Sequence, residues 1–375
     1  MFPLSPLGRG GCPLGVGVRI LGGIAPGGRH SIALPVELER AVERQLAGVS
    51  AAQWLREAQA LSERYRAPRS GQEAPLATGP LQTLGYLALI FPATYAQLRG
   101  AIAATAARIP AWKPATLLDL GSGPGTGLWA ASEQWASLRS LTAWEREAAF
   151  VRLGRGLAQS SSSAALRDTR WERRDLRQLG TAAGRYDIVM LGHVLNELPL
   201  ELRREVIDIA WALTTGVLLI VEPGTRAAFD VVRAARDQLL AAGARTIAPC
   251  AHDQPCPLVD DWCHFPQRLT RPDFQRRARG APSQWEDSKF SYAAMARFGP
   301  AEPIWGRVIG EPSSNKAYAD VMISTREHAA RYRAPKRNRD AYRHVKELRW
   351  GEALTEAPMD AIQPVKSPQS VETEP

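Results

Sequence analysis

The sequence predicts an α/β protein with a mostly parallel sheet, and three features of the chain support this prediction. An apolar run, Leu117–Leu120, breaks into alternating glycines from Gly121 to Gly127 and then into a helical pattern. Further short apolar segments follow, and helical segments separate them. Several of the apolar segments end at or near an acidic residue. Strands separated by helices pair in parallel through right-handed crossovers, and ligands then bind at the carboxyl ends of the strands.

The spacing of apolar residues predicts the individual elements. Helical spacing dominates the region from Leu34 to Ile109, where Pro92 marks a kink or a helix boundary. Two later segments predict a β-hairpin that we expect to complete the sheet, namely Pro303–Ile309 and Tyr318–Ser324. The five central strands are predicted at Thr116–Leu120, Leu141–Glu145, Trp171–Asp175, Tyr186–Leu191 and Gly216–Val221, with helices at Pro199–Trp211 and Arg226–Ala242.

The glycine turn predicts a nucleotide cofactor. Glycines let the backbone turn sharply and let a ligand lie against it, and the helix that follows offers free N–H groups. A dinucleotide fingerprint would carry glycine where Thr126 stands. The run Leu-Asp-Leu-Gly-Ser-Gly-Pro-Gly instead resembles the first motif of class I S-adenosylmethionine (SAM) methyltransferases. An ordinary glycine-rich strand–helix turn is the structural alternative.

That resemblance implies a set of cofactor-binding residues. In such methyltransferases the acid closing the second strand binds the ribose hydroxyls, which points to Glu145. An acid after the third strand commonly contacts the adenine amino group, which points to Asp175. A helix N-cap or a solvated strand end is the alternative for each acid. The expected cofactor-binding residues are Asp119, Gly121, Gly123, Gly125, Glu145 and Asp175.

The segment after the fourth predicted strand is where a methyl acceptor would lie. His193, Asn196 and Glu197 are the catalytic candidates there, although Asn196 and Glu197 could simply cap the next helix. The Asn/Asp-Pro-Pro-aromatic motif of exocyclic-amine methyltransferases is absent from this segment. The Pro-Cys pairs at Cys250 and Cys256 come after the fifth strand, too late for a cytosine-C5 nucleophile.

Composition favours a polyanionic partner. The chain of 375 residues has 47 Lys and Arg against 38 Asp and Glu, a formal net charge of +9. Such a balance suits RNA or DNA first and an anionic membrane surface second. No apolar run approaches the roughly 20 residues that span a bilayer. We expect a monomer that does not associate with a membrane.

Three of the four cysteines lie close together. Cys250, Cys256 and Cys263 share one short window, and Cys12 stands apart near the start. Thiolates grouped in this way suit an iron–sulfur cluster or zinc, although the spacings are not those of a CxxC knuckle. Buried or incidental thiols are the alternative.

Together these motifs resemble the methyltransferase-like family of small-subunit ribosome assembly, which is found in mitochondria and has bacterial homologues. The resemblance implies a SAM-type fold, binding of small-subunit ribosomal RNA and a four-cysteine [4Fe–4S] site. The fourth cysteine of the family falls late in the sequence, and this chain has Ser324 at that place as the expected fourth metal-site residue. His252, His264 or an exogenous ligand are the alternatives. The motifs are Leu118–Gly125, Leu195–Leu198, Glu222–Thr225, Ala248–Cys250 with Pro255–Pro257, Trp262–Phe265 and Lys289–Tyr292.

The predicted organisation places a class I SAM-methyltransferase-like (Rossmann-like) sheet beside a helical N-terminal subdomain, with a cysteine-rich metal-binding insertion. A basic segment with interspersed aromatics follows the sheet and suits phosphate contacts and base stacking. The divisions are a disordered leader (1–34), the helical subdomain (35–112), the methyltransferase-like domain (113–325, insertion at 248–290), a basic RNA-binding extension (326–354) and a disordered tail (355–375).

Two functions are compatible with these features. The first is SAM-dependent methyl transfer to small-subunit ribosomal RNA, and the second is a non-catalytic assembly factor that keeps the fold and the iron–sulfur site. A nicotinamide-dependent oxidoreductase is a weaker third hypothesis. The expected compartment is a bacterial cytoplasm, with the mitochondrial matrix as the alternative.

Overall fold

The computed structural model describes residues 31–66, 79–178, 184–280 and 282–365. Most of the predicted leader and the last ten residues of the predicted tail lie outside these ranges. In the described ranges no single helix is long and apolar enough to cross a membrane, and one bent helix pair passes that test by length and composition only.

The chain alternates helices and strands after an all-helical start. The helices are α1 (Val36–Ala47), α2 (Ala51–Arg66), α3 (Pro80–Leu89), α4 (Phe91–Ala106), α5 (Thr126–Gln134), α6 (Ala148–Ala158), α7 (Ala164–Arg167), α8 (Leu200–Leu213), α9 (Arg226–Ala241), α10 (Asp273–Arg279) and α11 (Arg339–Glu347). The strands are β1 (Thr116–Leu120), β2 (Ser140–Glu145), β3 (Arg170–Arg173), β4 (Tyr186–Gly192), β5 (Thr214–Pro223), β6 (Arg245–Ala248), β7 (Phe265–Thr270), β8 (Trp285–Ala296), β9 (Gly306–Val308), β10 (Ser313–Ser314), β11 (Tyr318–Thr325), β12 (Ala329–Pro335), β13 (Ala353–Leu354) and β14 (Gln363–Pro364).

The larger sheet has the order β3-β2-β1-β4-β5-β8-β6, with β7 pairing on β8. Strands β1 to β5 pair with one another in parallel, whereas β8 runs antiparallel to β5, β6 and β7. The order reverses beside β1, which creates the crevice where doubly wound sheets bind ligands. The predicted α/β class and its five central strands are therefore confirmed.

The predicted terminal hairpin is present, but the prediction that it completes this sheet is wrong. Strands β9 and β11 pair with each other in a second, six-stranded sheet of order β13-β9-β11-β12-β14, with β10 on β11. This sheet has its own apolar core, which includes Val308, Val321 and Val345. The place beside β5 is taken by β8, whose apolar residues are buried along most of the strand.

The second sheet also changes two predicted boundaries. The division between residues 325 and 326 falls inside the β11–β12 hairpin, where Ser324 pairs with Ala329. Part of the predicted disordered tail is structured, because Gln363 pairs with Arg333 and Ile362 is buried. The predicted basic extension therefore forms strand β12 of this sheet and helix α11, which packs on the sheet, and it is not a separate segment.

The N-terminal helices pack on the larger sheet and share its apolar core. Helices α3 and α4 meet at Ile90, and Pro92 lies in the first turn of α4. Proline is tolerated there because the first N–H groups of a helix have no partner within it. The predicted break at Pro92 is thus confirmed, and α4 is buried along nearly its whole length against the sheet.

Candidate functional site

The glycine turn between β1 and α5 has a backbone that requires glycine. Gly121, Gly123 and Gly125 have φ angles of 71°, 53° and 84°. A Cβ on Gly121 would lie 2.7 Å from Cγ2 of Val194, so the turn also lies tightly against the segment after β4. The N–H groups of Gly121 and Ser122 donate to the carbonyl of Trp144 at 2.8 and 3.1 Å. The turn is therefore fixed to the end of β2.

Glu145 closes β2 and holds the turn from the other side. Its side chain accepts hydrogen bonds from the N–H of Gly123 and the N–H of Glu147, both at 2.8 Å. The residue is 7% exposed, and burial raises the pKa of its carboxyl group. Each carboxylate oxygen keeps acceptor capacity beyond these bonds, as a ribose diol would need.

A cavity of about 140 Å³ lies between this turn, the end of β3 and the segment after β4. It brings together six of the predicted site residues, namely Gly121, Gly123, Glu145, Asp175, His193 and Glu197. It lies at the carboxyl ends of the parallel strands, as the sequence predicts.

Three of the predicted cofactor-binding and catalytic residues do not line this cavity. Asp119 is buried inside the sheet at 4% exposure, and burial together with the charge of Glu145 raises its pKa to about 8. Gly125 is the N-cap of α5 and lies against the Trp171 ring. Asn196 is part of a short 3-10 turn, Leu195–Glu197, where its Oδ1 is buried without a partner in the described part of the chain. These residues support the walls of the site and do not face its interior.

Asp175 lies just after the third strand, where an acid was predicted, although the strand is shorter than predicted. The strand ends at Arg173, so Asp175 follows β3 and does not close it. Its Oδ1 accepts the N–H of Arg177 at 2.9 Å and thereby starts the turn at Leu176–Gln178. The side chain nevertheless reaches the rim of the cavity.

His193 has an unusual backbone for a residue with a side chain. Its φ angle is 61°, a region that histidine populates more readily than most residues but still rarely. Its N–H donates to the carbonyl of Val221 at 2.8 Å. Burial lowers the pKa of its imidazole to about 4, so the ring is neutral at physiological pH. Its Nε2 has no partner among the described residues, which leaves this nitrogen available to a ligand.

Sequence reasoning missed Glu222 as a determinant of this site. This residue near the end of β5 is fully buried, and its Oε1 accepts the N–H groups of Val194 and Leu195 at 3.1 and 2.8 Å. Burial raises its pKa to about 8. Glu222 therefore fixes the segment that carries His193 and Glu197. Its position near a strand end was visible in the sequence, but its inward direction was not.

Other lining residues also came without a clear sequence signal. Tyr86 reaches the cavity from α3 and contacts Phe150 edge-to-face at 5.1 Å. Arg174 lies over the Trp144 ring at 4.3 Å. Tyr86 and Phe150, the two aromatic residues that line the cavity, could contact a flat heterocycle.

The three clustered cysteines line a second, smaller cavity. Cys250, Cys256, Cys263 and Ser324 surround about 40 Å³, and all three thiols are free. Burial raises the pKa of the Cys250 and Cys263 thiols. Within the described ranges, no three His, Cys, Asp or Glu side chains are grouped closely enough to hold a metal ion. The predicted metal site is not confirmed, and a single-ion zinc site does not fit; Cys12 lies outside the described residues.

A doubly wound α/β sheet with a glycine turn and an acid at the end of the second strand defines a Rossmann-like protein with a cavity at its switch point. Residues 80–355 match the model of the Rsm22 family, described as mitochondrial small ribosomal subunit Rsm22. The chain belongs to this family.

The chain is also 30% identical over 295 residues to the human ribosome assembly protein METTL17, a mitochondrial protein. The match covers 72% of this chain and 62% of the human protein, so the chain spans less than two thirds of that relative.

Solved structures with a similar arrangement are more distant. They include the magnesium protoporphyrin IX methyltransferase of Synechocystis PCC 6803 with bound SAM, at 14% identity and a TM-score of 0.37 over 64% of this chain and 97% of that chain. They also include a putative RNA methyltransferase of Pyrococcus horikoshii, at 13% identity and a TM-score of 0.36 over 64% of this chain and 95% of that chain.

Proposed function

We propose that this protein binds SAM and methylates small-subunit ribosomal RNA during assembly of the small ribosomal subunit. Membership of the Rsm22 family and the similarity to a human ribosome assembly protein support the ribosomal part of this proposal. The hydrogen bond from Gly123 to Glu145 at the edge of the cavity is the observation that carries the cofactor part.

The residues around the cavity at the glycine turn fit SAM. Gly121 and Gly123 leave the floor without side chains, so a cofactor can lie against the backbone. Glu145 would hold the ribose hydroxyls, Asp175 the adenine amino group, and Phe150 the face of the base. When bound, SAM supplies an activated methyl group. The turn and the buried Glu222 would keep the acceptor side of the site in a fixed position.

The acceptor side contains one candidate base. His193 is neutral at physiological pH, and its Nε2 could accept a proton from an acceptor group. Glu197 would orient that acceptor from the same segment.

One observation favours the alternative, a non-catalytic assembly factor that keeps the fold. A general base works best with a pKa near the working pH, and burial brings the pKa of His193 down to about 4. A base this weak is poorly matched to proton abstraction from a nucleobase. The cavity would then serve to stabilise a docking surface for RNA.

The second sheet would supply RNA contacts in either case. Helix α11 has three exposed basic residues that could contact phosphates, namely Arg339, Arg343 and Lys346. Tyr342 lies beside Lys346, whose Nζ is 5.6 Å from the ring centroid. A cation next to an aromatic ring suits a phosphate contact with a stacked base.

We also propose that the cysteine cavity holds a [4Fe–4S] cluster. A cluster is bound at its corners, so its ligands surround a space and do not converge on one point, which agrees with three cysteines and Ser324 around one cavity. Such a cluster would supply a structural or redox-active centre. Absorption spectra and iron and sulfide analysis of anaerobically purified protein test this, with Cys256→Ala as the variant and Cys12→Ala as the matched control. Equal iron in both variants would rule the cluster out.

The decisive test of the main proposal is transfer of labelled methyl from SAM to small ribosomal subunits isolated from cells that lack this protein. We expect label in RNA, and none with Gly123→Arg. Retained subunit binding without label would select the non-catalytic alternative.

The mitochondrial relative fits the mitochondrial-matrix alternative, and fractionation of the source cells decides between this compartment and a bacterial cytoplasm. We propose a monomer, which sedimentation would test.

A further inference from the structure

An open cavity of about 550 Å³ lies where the two sheets meet the cysteine-bearing loop. Its lining comes from distant parts of the chain: Arg108 follows α4, Arg245 and Thr246 lie in β6, and Arg326 follows β11. We call it the arginine cavity. It shares no lining residue with the proposed SAM site.

Arg108 is a buried cation that forms no ion pair with a carboxylate among the described residues, although the charge of Glu302 acts on it through space. It is 4% exposed, its Nη2 donates to the carbonyl of Glu302, and its Nε has no partner among the described residues. The guanidinium of Arg307, buried nearby, donates only to the carbonyls of Pro249 and Gly351. In the described part of the chain no ion pair joins either arginine to a carboxylate. Burial, followed by the charge of Arg307, lowers the pKa of Arg108 to about 10, so Arg108 remains charged at neutral pH.

A buried charge without a partner is costly, which points to an anion that the site receives from outside. Thr246 Oγ1 and His252 Nε2 are also buried and have no partner among the described residues. Asp253 is the one carboxylate in the lining, and it is already engaged. Its Oδ1 accepts the N–H of Thr246 at 2.7 Å and its Oδ2 lies 2.8 Å from Arg245 Nε.

The cysteines do not account for Arg108. Arg236 lines the cysteine cavity together with the three thiols, whereas Arg108 does not. Glu302 attracts Arg108 electrostatically, but it accepts a hydrogen bond from Arg108 only through its backbone carbonyl. The Nε–H of Arg108 has no acceptor among the described residues, so an added anion could supply one.

We propose that the arginine cavity binds a phosphodiester group of RNA, with Arg108 as the buried anchor and Arg245 and Arg326 at the exposed rim. This inference rests on the RNA binding in the proposed function. The guanidinium fork matches phosphate oxygens, and two rim arginines lie where a backbone could pass across the opening. The net charge of +9 favours a polyanion over an isolated small anion.

Binding of a fluorescein-labelled 15-nucleotide oligouridine to the full chain, measured by anisotropy across a potassium chloride series, tests this inference. Arg245→Gln and Arg326→Gln remove rim charges, and Arg139→Gln removes the same charge from an exposed position away from the cavity. Each phosphate contact contributes a slope of about 0.7 in log K against log salt for single strands. We therefore expect Arg326→Gln to lose about fivefold in affinity at 0.1 M salt, with a slope reduced by about 0.7. Arg245 pairs with Asp253, so Arg245→Gln also leaves that carboxylate facing the RNA and should lose at least as much affinity. The Arg139 variant should match the wild type.

Arg108→Lys and Arg108→Gln test the anchor. The lysine variant should retain more affinity than the glutamine variant, and thermal melting shows which of them are folded. If Arg108→Gln does not fold, the two rim variants alone test whether the arginine cavity binds RNA. Rim variants that bind like Arg139→Gln overturn this inference alone, whereas a wild-type chain that binds no oligouridine overturns the RNA-binding proposal as well. A melting shift with inorganic phosphate that depends on Arg108, without any effect of the rim variants on RNA, would assign the cavity to a small anion and refute its RNA role.

Discussion

Replacing Glu145 with glutamine separates the charge of this residue from its shape. The carboxylate accepts two backbone N–H groups at 2.8 Å, one from Gly123 in the turn and one from Glu147. Glutamine has one acceptor oxygen, so its NH₂ group must face one of these N–H groups. A hydrogen bond to a charged acceptor is lost, and one buried donor is left without a partner.

The size of the effect follows from these contacts. Losing a hydrogen bond to a charged group costs about 1.5–3 kcal/mol, and relief of the burial of that charge offsets part of the loss. We expect Glu145→Gln to lower the free energy of unfolding by about 1–2 kcal/mol. If Glu145 holds the ribose, the amide also loses one strong bond to SAM, which weakens SAM binding roughly 10- to 100-fold.

Urea unfolding measures the first effect and isothermal titration calorimetry with SAM measures the second. Glu205→Gln, on the exposed face of α8, is the matched control and should leave both unchanged. A folded Glu145→Gln protein with the wild-type SAM affinity would refute the ribose assignment. Glu145 would then act only as a structural anchor of the turn.

Three further predictions concern the scaffold of the site and the second sheet. Gly154→Ala places a methyl 2.1 Å from the Trp171 ring. The overpacking costs about 1–3 kcal/mol and should outweigh the gain in helix propensity of about 1 kcal/mol, so urea unfolding should show a less stable protein. Adding Trp171→Phe should restore stability, and a single variant as stable as the wild type would contradict the prediction. Folding raises the pKa of Asp119 to about 8, so between about pH 4 and 8 the folded state holds a proton that the unfolded state has lost. The free energy of unfolding of the wild type should therefore fall by roughly 1 kcal/mol per pH unit over this range. Asp119→Asn should flatten that slope, and parallel slopes of the two proteins would contradict the prediction. Burial acts to raise the pKa of Asp320, but hydrogen bonds from Ser313 and two arginines outweigh burial and lower this pKa. Asp320→Asn should therefore destabilise the protein at neutral pH by about 1–3 kcal/mol. Melting curves should show this deficit shrinking below about pH 4, and a deficit that does not change with pH would contradict the prediction.

The central strands and the glycine turn could be predicted from the sequence because their signals are local. The apolar run before Gly121 marks β1 and its turn, and the apolar run that ends at Glu145 marks β2. Short-range patterns of this kind place an element but do not choose its partner. The hairpin of β9 and β11 was therefore recognised and assigned to the wrong sheet.

The inward-facing residues of the site were harder to predict. Tyr86 belongs to a helix about 35 residues before the turn and reads as an ordinary apolar position, and Glu222 reads as one acid among several near strand ends. Their place at the site depends on how α3 and β5 pack around the turn. Burial of a polar group against specific backbone donors is a tertiary property, and it leaves no pattern in a single sequence.

The position of β8 has a consequence for how the chain folds. Strand β5 is complete at Pro223 and β6 at Ala248, but β8 inserts between them and ends only at Ala296. During synthesis, the larger sheet cannot close until the ribosome has released residues well beyond the cysteine-bearing loop. Until then β5 presents an open apolar edge, which is the kind of surface that pairs with other chains. Fragments that stop before Trp285 should therefore aggregate, and nascent chains of that length are natural clients for chaperones.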